Sequence, residues 1–217
     1  AHEIRTPLTS LKLFLESIQA EVEISSEFEE DYDIAMQQVK RIESTINRFL
    51  DFSKPKDPVF SNIDVVLLIE NVIQIVKPML NKQECSLYIK IEDHLPTIWG
   101  DQILLEETLI NLFVNSLEAM SHKGSLSVEA KKSLLPSNGG SEPCLRIDIR
   151  DTGTGIPEDR IINIFDPFFT TKASGTGLGL PLVLSAIRHH GGDIQVKSHM
   201  DKGTVFSLFL PIKTAST

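Results

Sequence analysis

An acidic residue stands at the end of an alternating apolar run, directly before two closely spaced glycines. The run 144–150 alternates apolar and polar residues, which is typical of a half-buried strand. Asp151 follows it and can accept a hydrogen bond from an exocyclic amine, while Gly153 and Gly155 let the backbone turn sharply and approach a planar ring. Adenine would fit this arrangement, although such a segment by itself more often marks an ordinary turn with a solvated aspartate.

Two asparagines lie four residues apart in a segment that predicts a helix over 102–120. Because positions i and i+4 share one helix face, Asn111 and Asn115 project side by side from a surface otherwise lined by leucine and phenylalanine. Buried amides need hydrogen-bond partners, so one interpretation is a structural pair that caps neighbouring backbone. In the functional interpretation Asn115 offers its carbonyl oxygen to Mg²⁺, Asn111 faces phosphates, and Glu118 supports the site from one turn further on.

A glycine-rich segment, GTGLGL at 175–180, precedes a predicted helix over 180–190. Alternating glycines are a weak signal alone, but at a helix start they can form a cradle whose free amides face phosphates. Lys172 adds positive charge just before this segment. The residues expected to contact a triphosphate here are Thr171, Lys172, Gly175, Thr176, Gly177, Leu178 and Gly179. Three nearby phenylalanines are expected to be hinge or core groups rather than base-stacking groups: Phe165, Phe168 and Phe169.

The first eight residues, AHEIRTPL, place a histidine near the start of a predicted helix. A lone histidine near a chain end is usually a solvent-exposed bystander, and the chain contains 6 of them. His2 differs because an acid follows it directly and Pro7 should bend the helix. Neutral imidazole is a nucleophile that can accept a phosphoryl group, and Glu3 can take the second ring proton or orient the ring. The segment is therefore a candidate phosphoacceptor site.

Two predicted helices must carry that histidine. Three-and-four spacing of apolar residues predicts one helix up to about residue 22, a polar interruption at 24–27, and a second helix up to about residue 53. Such a hairpin has too little core to stand alone, so we expect its stripe to pair with a second copy in a dimeric four-helix bundle. The alternative is that the stripe docks on the chain's own C-terminal domain. The stripe consists of Leu8, Leu11, Leu15, Ile18 and Val22, then Phe28, Tyr32, Met36, Val39, Ile42, Ile46 and Phe49.

The remaining motifs need a sheet and several helices. Two prolines in 54–58 end the hairpin and stiffen a linker, so the predicted domains are 1–53 and 59–217. Helices mixed with strands in the second domain predict a two-layer α/β sandwich, and the chain as a whole is of the α+β class. The predicted strands are 59–63, 85–92, 125–132, 144–150, 193–198 and 204–210, and the helices are 64–80, 102–120, 158–164 and 180–190.

Composition narrows the possible partners. The chain has 217 residues and a net charge of −9, with no basic cluster beyond Lys131 and Lys132, so nucleic acid is not expected as a partner. Cys85 and Cys144 lie far apart and are expected to be buried thiols in a reducing cytosol. No apolar run approaches the roughly 20 residues of a membrane helix. Because the chain starts within a helical pattern, we expect a cytoplasmic portion of a longer protein that can be membrane-anchored elsewhere.

Five segments stand in the order and roughly the spacing of the motif boxes of the sensor histidine kinases, which this chain therefore resembles over nearly its whole length. Residues 1–8 resemble the phosphoacceptor box of that family. The nucleotide-binding boxes, named N, G1, F and G2, are matched in that order by residues 111–119, 151–157, 165–172 and 175–180. The motifs also resemble those of the sporulation-initiation kinases. The resemblance implies a dimerisation and histidine phosphotransfer hairpin followed by a Bergerat-fold ATP-binding domain.

The resemblance also implies roles for particular residues. ATP with Mg²⁺ would phosphorylate His2, with Glu3 as general base, and the phosphoryl group would pass to an aspartate on a response-regulator receiver domain. Thr6 matches the position that places water for dephosphorylating the regulator. Asn111, Asn115, Asp151 and the glycines would bind the nucleotide, with Asn115 holding the metal. Further implied partners are a second copy of the chain and inhibitory proteins that bind the hairpin.

Asn111 separates two kinds of enzyme that share the implied fold. Gyrase, the mismatch-repair ATPase and the large heat-shock chaperone carry a glutamate at this position, which activates water for hydrolysis. An amide cannot remove a proton, so Asn111 favours a kinase that keeps ATP intact until His2 attacks. The alternatives are a serine kinase of the mitochondrial dehydrogenase-kinase type, an ATPase of this fold, and a scaffold without catalytic activity.

Overall fold

The chain divides into two compact units, Ala1–Lys56 and Asp57–Thr217. The computed structural model describes residues 2–21, 28–53, 58–121, 123–135, 142–172 and 175–212, and only the backbone at 2–5, 19–21, 44 and 47–53. Two predicted features therefore lie wholly or mostly outside the described residues: the interruption at 24–27 and the linker at 54–58. The exact limits of the predicted domains stay a prediction.

The first unit is the predicted helical hairpin. Helix α1 spans His2–Glu21 and helix α2 spans Glu29–Ser53. Three acids in the first turn of α2 complement the helix dipole. The helices are joined by an ion pair between Lys12 and Glu43 at 3.3 Å and by a hydrogen bond from the Tyr32 hydroxyl to the Leu15 carbonyl at 3.0 Å.

Most of the apolar stripe on this hairpin is only partly buried within one copy. Val39 is buried, at 4% exposure, but Leu11 and Ile42 remain 46% and 48% exposed. Val22 lies outside the described residues, and the side chain of Phe49 is not described. Two helices cannot enclose a core by themselves, which is the physical reason that the sequence predicts a second layer.

The second unit contains a five-stranded sheet in the order β2-β4-β5-β7-β6 and a separate antiparallel pair, β1-β3. Strands β2 and β4 are parallel, and all other neighbours are antiparallel. The strands are β1 (Phe60–Ile63), β2 (Ser86–Ile91), β3 (Ile98–Asp101), β4 (Ser125–Leu134), β5 (Pro143–Asp151), β6 (Asp193–His199) and β7 (Gly203–Pro211).

Helices cover one face of this sheet and form the main core with it. Alternate residues of the sheet, such as Val128, Ile147 and Leu208, are at most 1% exposed and belong to the same buried cluster as Leu112 and Val183 from the helices. This arrangement is the two-layer α/β sandwich that the sequence predicts. The helices are α3 (Val65–Lys82), α4 (Gln102–Ala119), α5 (Glu158–Ile161) and α6 (Gly179–His189).

Two aspartates begin the long helices of this unit. Asp64 accepts hydrogen bonds from the amides of Val66 and Leu67, at 2.9 and 3.3 Å, and is therefore the N-cap of α3. Asp101 caps α4 by accepting from the Leu104 amide at 3.0 Å. A side chain therefore satisfies two of the free amides at the start of α3 and one at the start of α4.

The structure differs from the predicted elements in three places. Residues Ile98–Asp101 form a strand, β3, where the sequence suggested only the approach to a helix. Strand β2 is an edge strand, so its apolar face is incompletely covered and Ile89 is 50% exposed. Phe168 is 60% exposed and is therefore not a core group, whereas Phe165 and Phe169 pack against the core. None of the described helices is long and apolar enough to cross a membrane.

Candidate nucleotide-binding site

Asp151, the last residue of β5, is a buried carboxylate at 2% exposure. Its Oδ1 accepts hydrogen bonds from the amides of Gly153 at 2.9 Å and Thr204 at 3.1 Å. Burial raises the pKa of this carboxyl above its ordinary value, while the two amides, Ser116 and the positive charge of Lys172 act in the opposite direction. Both backbone bonds go to Oδ1, which leaves Oδ2 as the oxygen that can accept a hydrogen bond from a ligand.

The turn after Asp151 is fixed between two neighbouring elements. A Cβ atom on Gly153 would lie 2.7 Å from the carbonyl oxygen of Ala119 at the end of α4, and the amide of Thr154 donates to the same oxygen at 3.1 Å. Gly155 has a φ of 73°, and a Cβ there would lie 2.1 Å from the His199 carbonyl oxygen. Only glycine fits such close backbone contacts, so the two glycines hold the turn against α4 and the β6–β7 hairpin.

Ser116 presents a buried hydroxyl at this site. The residue is 1% exposed and lies on α4, close enough to Asp151 to lower the pKa of its carboxyl. Nevertheless, its Oγ makes no hydrogen bond of ordinary length and angle with any described group. An unsatisfied buried hydroxyl costs stability unless a partner arrives, so the pair of Ser116 and Asp151 is suited to a polar ligand edge.

The two asparagines of α4 meet the start of α6. A Cβ atom on Gly179 would lie 3.6 Å from Oδ1 of Asn111 and 3.9 Å from Nδ2 of Asn115, so both amides face the glycine. The structure thus brings together residues from two motifs that are more than 60 positions apart in the chain. The missing side chain at position 179 keeps the space between them open.

The N-terminus of α6 has no side-chain cap, unlike those of α3 and α4. Its N-cap residue is Leu178, and no side-chain oxygen among the described residues accepts from the first amides of the helix. Uncapped amides and the helix dipole together favour an anion. The segment before the helix is tied back by the Phe168 amide, which donates to the Gly177 carbonyl at 3.0 Å. A phosphate group is the kind of ligand that would satisfy this helix start.

Lys172 supplies the positive charge next to the asparagines. Its Nζ lies 3.3 Å from Oδ1 of Asn115 and forms a short hydrogen bond with Oε2 of Glu118. The site therefore contains an amide oxygen, a carboxylate and an ammonium group within one small area. No group of three His, Cys, Asp or Glu side chains that could hold a metal occurs among the described residues. A metal here would have to complete its shell from phosphate and water, as Mg²⁺ does.

The other predicted site residues fall into two groups. Thr171 and Gly175 are exposed, Thr176 and Gly177 are half-buried, and Leu178 is buried below the start of α6. His2 and Glu3 lie in the first turn of α1, and their side chains are outside the description. Thr6 is exposed on the same helix, and its carbonyl accepts from the Ser10 hydroxyl at 3.1 Å.

Besides Ser116, sequence reasoning missed two supporting residues, Thr204 and His190. The amide of Thr204 donates a hydrogen bond to Asp151. The only local feature of the sequence that points to this position is Gly203, the glycine at the turn of the β6–β7 hairpin. His190 is buried and ties α6 to the start of α4: its Nε2 accepts from the Asp101 amide at 2.9 Å, and its Nδ1 donates to the Ala186 carbonyl at 2.7 Å. Burial lowers the pKa of His190, so the neutral ring that these two bonds require is favoured.

These features fit a purine nucleoside triphosphate. Asp151 and Ser116 offer a polar edge for an exocyclic amine, and the uncapped start of α6 offers amides for phosphates. Asn115 and Lys172 add an oxygen for a metal and a cation for the triphosphate charge. Fold and site together define a nucleotide-binding ATPase domain that follows a helical hairpin.

Comparison with known proteins places the chain within that class. Residues 100–214 match the family described as histidine kinase-, DNA gyrase B-, and HSP90-like ATPase, and the chain belongs to this family. Residues 1–58 match the His Kinase A (phospho-acceptor) domain. The two matches in one chain confirm the predicted histidine kinase catalytic core, with an ATP-binding C-terminal unit.

Curated relatives extend over almost the whole chain. Sensor histidine kinase ZraS of Escherichia coli is 34% identical over 98% of this chain and 44% of its own length. Sporulation kinase E of Bacillus subtilis is 32% identical over 98% of this chain and 28% of its own length. The chain thus spans less than half the length of either relative. The fold is similar to that in the crystal structure of full-length ShkA in complex with AMPPNP, with a TM-score of 0.81 and 23% sequence identity. The match covers 100% of this chain and 45% of the ShkA chain.

Proposed function

We propose that this chain transfers the γ-phosphoryl group of ATP to His2, and that the phosphoryl group then passes to an aspartate on the receiver domain of a response regulator. The observation that carries the proposal is that a phosphoacceptor domain match containing His2 and an ATPase match occur in one chain. A ring nitrogen of His2 attacks the γ-phosphorus, the bond to the β–γ bridging oxygen breaks, and ADP leaves. Glu3 takes the ring proton as general base.

Asn115 is the proposed protein ligand for Mg²⁺. Its Oδ1 would hold the metal, and the bound metal would supply positive charge that offsets the negative charge on the leaving ADP. Asn111 faces the same space across Gly179, which places it beside the phosphates or the water molecules around the metal. This division of roles is supported by the two amides facing the open start of α6.

Asn111 is also proposed to keep the kinase from acting as a hydrolase. Replacing Asn111 with glutamate places a carboxylate where related ATPases keep their base. We expect autophosphorylation to slow, while release of free phosphate from ATP increases by about 100-fold, the low end of the general-base range. The measurement is a single incubation with γ-labelled ATP in which label on the protein and phosphate in solution are quantified together.

A control separates base chemistry from charge repulsion. Asn111→Asp has the same charge as the glutamate but is one methylene shorter, so it should slow autophosphorylation without the same rise in free phosphate. If neither variant releases more phosphate than the wild type, then Asn111 does not mark the loss of a hydrolytic base.

We also propose that the hairpin forms a homodimer. Its exposed apolar residues are what a second hairpin would cover in a four-helix bundle. Ile42→Glu should therefore convert a dimer into a monomer, because a charge in the bundle core would have no partner. Since Ile42 is 48% exposed in the single hairpin, this substitution is tolerable in the monomer, and light scattering at micromolar concentration should report half the mass.

The matched control for this prediction is Gln37→Glu. It adds the same charge to an exposed position on the same helix, about 140° around the helix from residue 42. We expect this variant to remain dimeric. A wild-type chain that is already monomeric would contradict the proposed dimer.

Two finer assignments complete the proposal. Thr6 is placed one turn beyond His2 on α1, where it would orient water for dephosphorylating the bound regulator. The polar face of the hairpin, which the proposed dimer would leave uncovered, is also the proposed surface for inhibitory proteins. Both assignments are supported by the exposed position of α1 residues in the single hairpin.

A further inference from the structure

Lys172 occupies the place where a metal ion would bind. Its ammonium group contacts Oδ1 of Asn115 at 3.3 Å, and this oxygen is the proposed ligand for Mg²⁺. The same ammonium is paired with the carboxylate of Glu118, one turn further along α4. The ammonium of Lys172 therefore places a positive charge beside the amide oxygen of Asn115. Glu118, which lies on α4 like Asn115, balances that charge.

A defined turn holds Lys172 in this position. The Lys172 amide donates to Oγ1 of Thr170 at 3.1 Å, and the Gly175 amide donates to the Lys172 carbonyl at 3.1 Å. A Cβ atom on Gly175 would lie 2.4 Å from Oγ1 of Thr170, so a larger residue at position 175 would displace the hydroxyl that accepts from the Lys172 amide. Backbone bonds on both sides of Lys172 thus fix where its side chain starts.

A bound metal ion or a bound triphosphate would compete with the present contacts of Lys172. A metal ion on Oδ1 of Asn115 and an ammonium on the same oxygen would be two cations competing for one ligand. A triphosphate would also attract the ammonium of Lys172 and would compete with Glu118 for it. The carboxylate would then stand unpaired beside phosphate oxygens of the same sign.

We propose that Glu118 is a specificity-determining residue: by holding Lys172 on Asn115 in the nucleotide-free protein, it makes the site selective for metal-loaded ATP over metal-free ATP. The inference rests on the proposed function. Metal-free ATP must draw Lys172 away and leave Glu118 without a counter-ion. When the nucleotide arrives with its metal, the metal replaces the ammonium at Asn115, and its two charges offset the carboxylate.

The test measures binding rather than turnover. In excess chelator, Glu118→Gln should bind metal-free ATP about three- to fivefold more tightly than wild type, the range of one partly exposed ion pair. With saturating Mg²⁺ the same substitution should change affinity much less. Titration calorimetry gives both dissociation constants, and thermal unfolding checks that each variant is folded.

A double-mutant cycle separates this mechanism from simple repulsion between Glu118 and phosphate. In a Lys172→Met background, Glu118→Gln should no longer improve metal-free binding, because there is no ammonium left to release. If the gain persists in that background, the carboxylate acts by repulsion alone and the inference is wrong.

The charge control is Glu106→Gln on the same helix. Residue 106 precedes Glu118 by twelve positions, about 18 Å along α4, so it is out of reach of Lys172. This variant should bind metal-free ATP like the wild type. An equal gain for both glutamates would overturn the inference, as would no gain at Glu118. If the wild type fails to bind ATP even with Mg²⁺, the proposed function itself is wrong and the inference falls with it.

Discussion

Replacing His2 with glutamine should abolish covalent labelling of the protein by γ-labelled ATP. Glutamine is polar and of similar reach, but it has no ring nitrogen that can attack phosphorus. Because the nucleotide-binding residues lie in the other unit of the chain, ATP affinity measured by calorimetry should stay at the wild-type value. Loss of label together with intact binding assigns His2 to the chemical step.

A second histidine provides the matched control. His94 is exposed in the C-terminal unit and has a positive φ of 55°, which asparagine tolerates well. His94→Asn should therefore be labelled like the wild type. Acid-labile label that persists on His2→Gln would mean that another histidine is the acceptor, and the interpretation of the first helix would be wrong.

Replacing Asp151 with asparagine should change ATP affinity and stability in opposite directions. Binding should weaken by about 5- to 150-fold, which corresponds to roughly 1–3 kcal/mol for a buried acceptor that is partly replaced by a donor. The affected atom is Oδ2, since Oδ1 is already used by the amides of Gly153 and Thr204. Unchanged affinity in calorimetry would remove Asp151 from the base contact.

The stability effect follows from the raised pKa of Asp151. Because burial raises this pKa in the folded state, the folded unit binds the proton more readily than the unfolded chain does. The stability of the nucleotide-free protein therefore decreases as the pH rises from the unfolded pKa through the folded one. At neutral pH the ionised carboxylate is a cost that Asp151→Asn removes, while an amide Oδ1 can still accept from both backbone amides.

Thermal unfolding without nucleotide checks this sign. Asp151→Asn should have a higher Tm than the wild type at pH 7, and the difference should shrink as the pH is lowered below the unfolded pKa of the carboxyl. A lower Tm at pH 7 would show that the amides of Gly153 and Thr204 stabilise the charged carboxylate by more than burial destabilises it.

Periodic patterns were sufficient to predict most of the secondary structure. The stripe on α2 and the alternation in β5 depend on residues close in sequence, so they can be recognised without knowing their partners. Strand β3 was missed because it has only four residues and is defined by pairing with β1, some 40 positions earlier. The exposure of Ile89 on β2 was equally invisible, since sequence does not say which strand lies at an edge.

The members of the candidate site were predictable, but their contacts were not. Motif order identified Asp151, Asn115 and Lys172 as nucleotide-binding candidates. That Lys172 sits on Asn115 and Glu118 depends on a turn more than 50 residues away in sequence. Ser116 carried no signal at all, because a serine inside an apolar helix is ordinary until its hydroxyl is found buried beside a carboxylate.

The most direct test of the proposed kinase is the chemical stability of the label that the wild-type chain acquires from γ-labelled ATP. A phosphorylated imidazole hydrolyses readily in acid and survives base, whereas phosphoserine and phosphothreonine behave in the opposite way. We predict label on the protein that is lost in acid and retained in base, and that is absent from His2→Gln. Label that survives acid, or release of free phosphate with no label on the protein, would contradict the assignment of this chain as a histidine kinase.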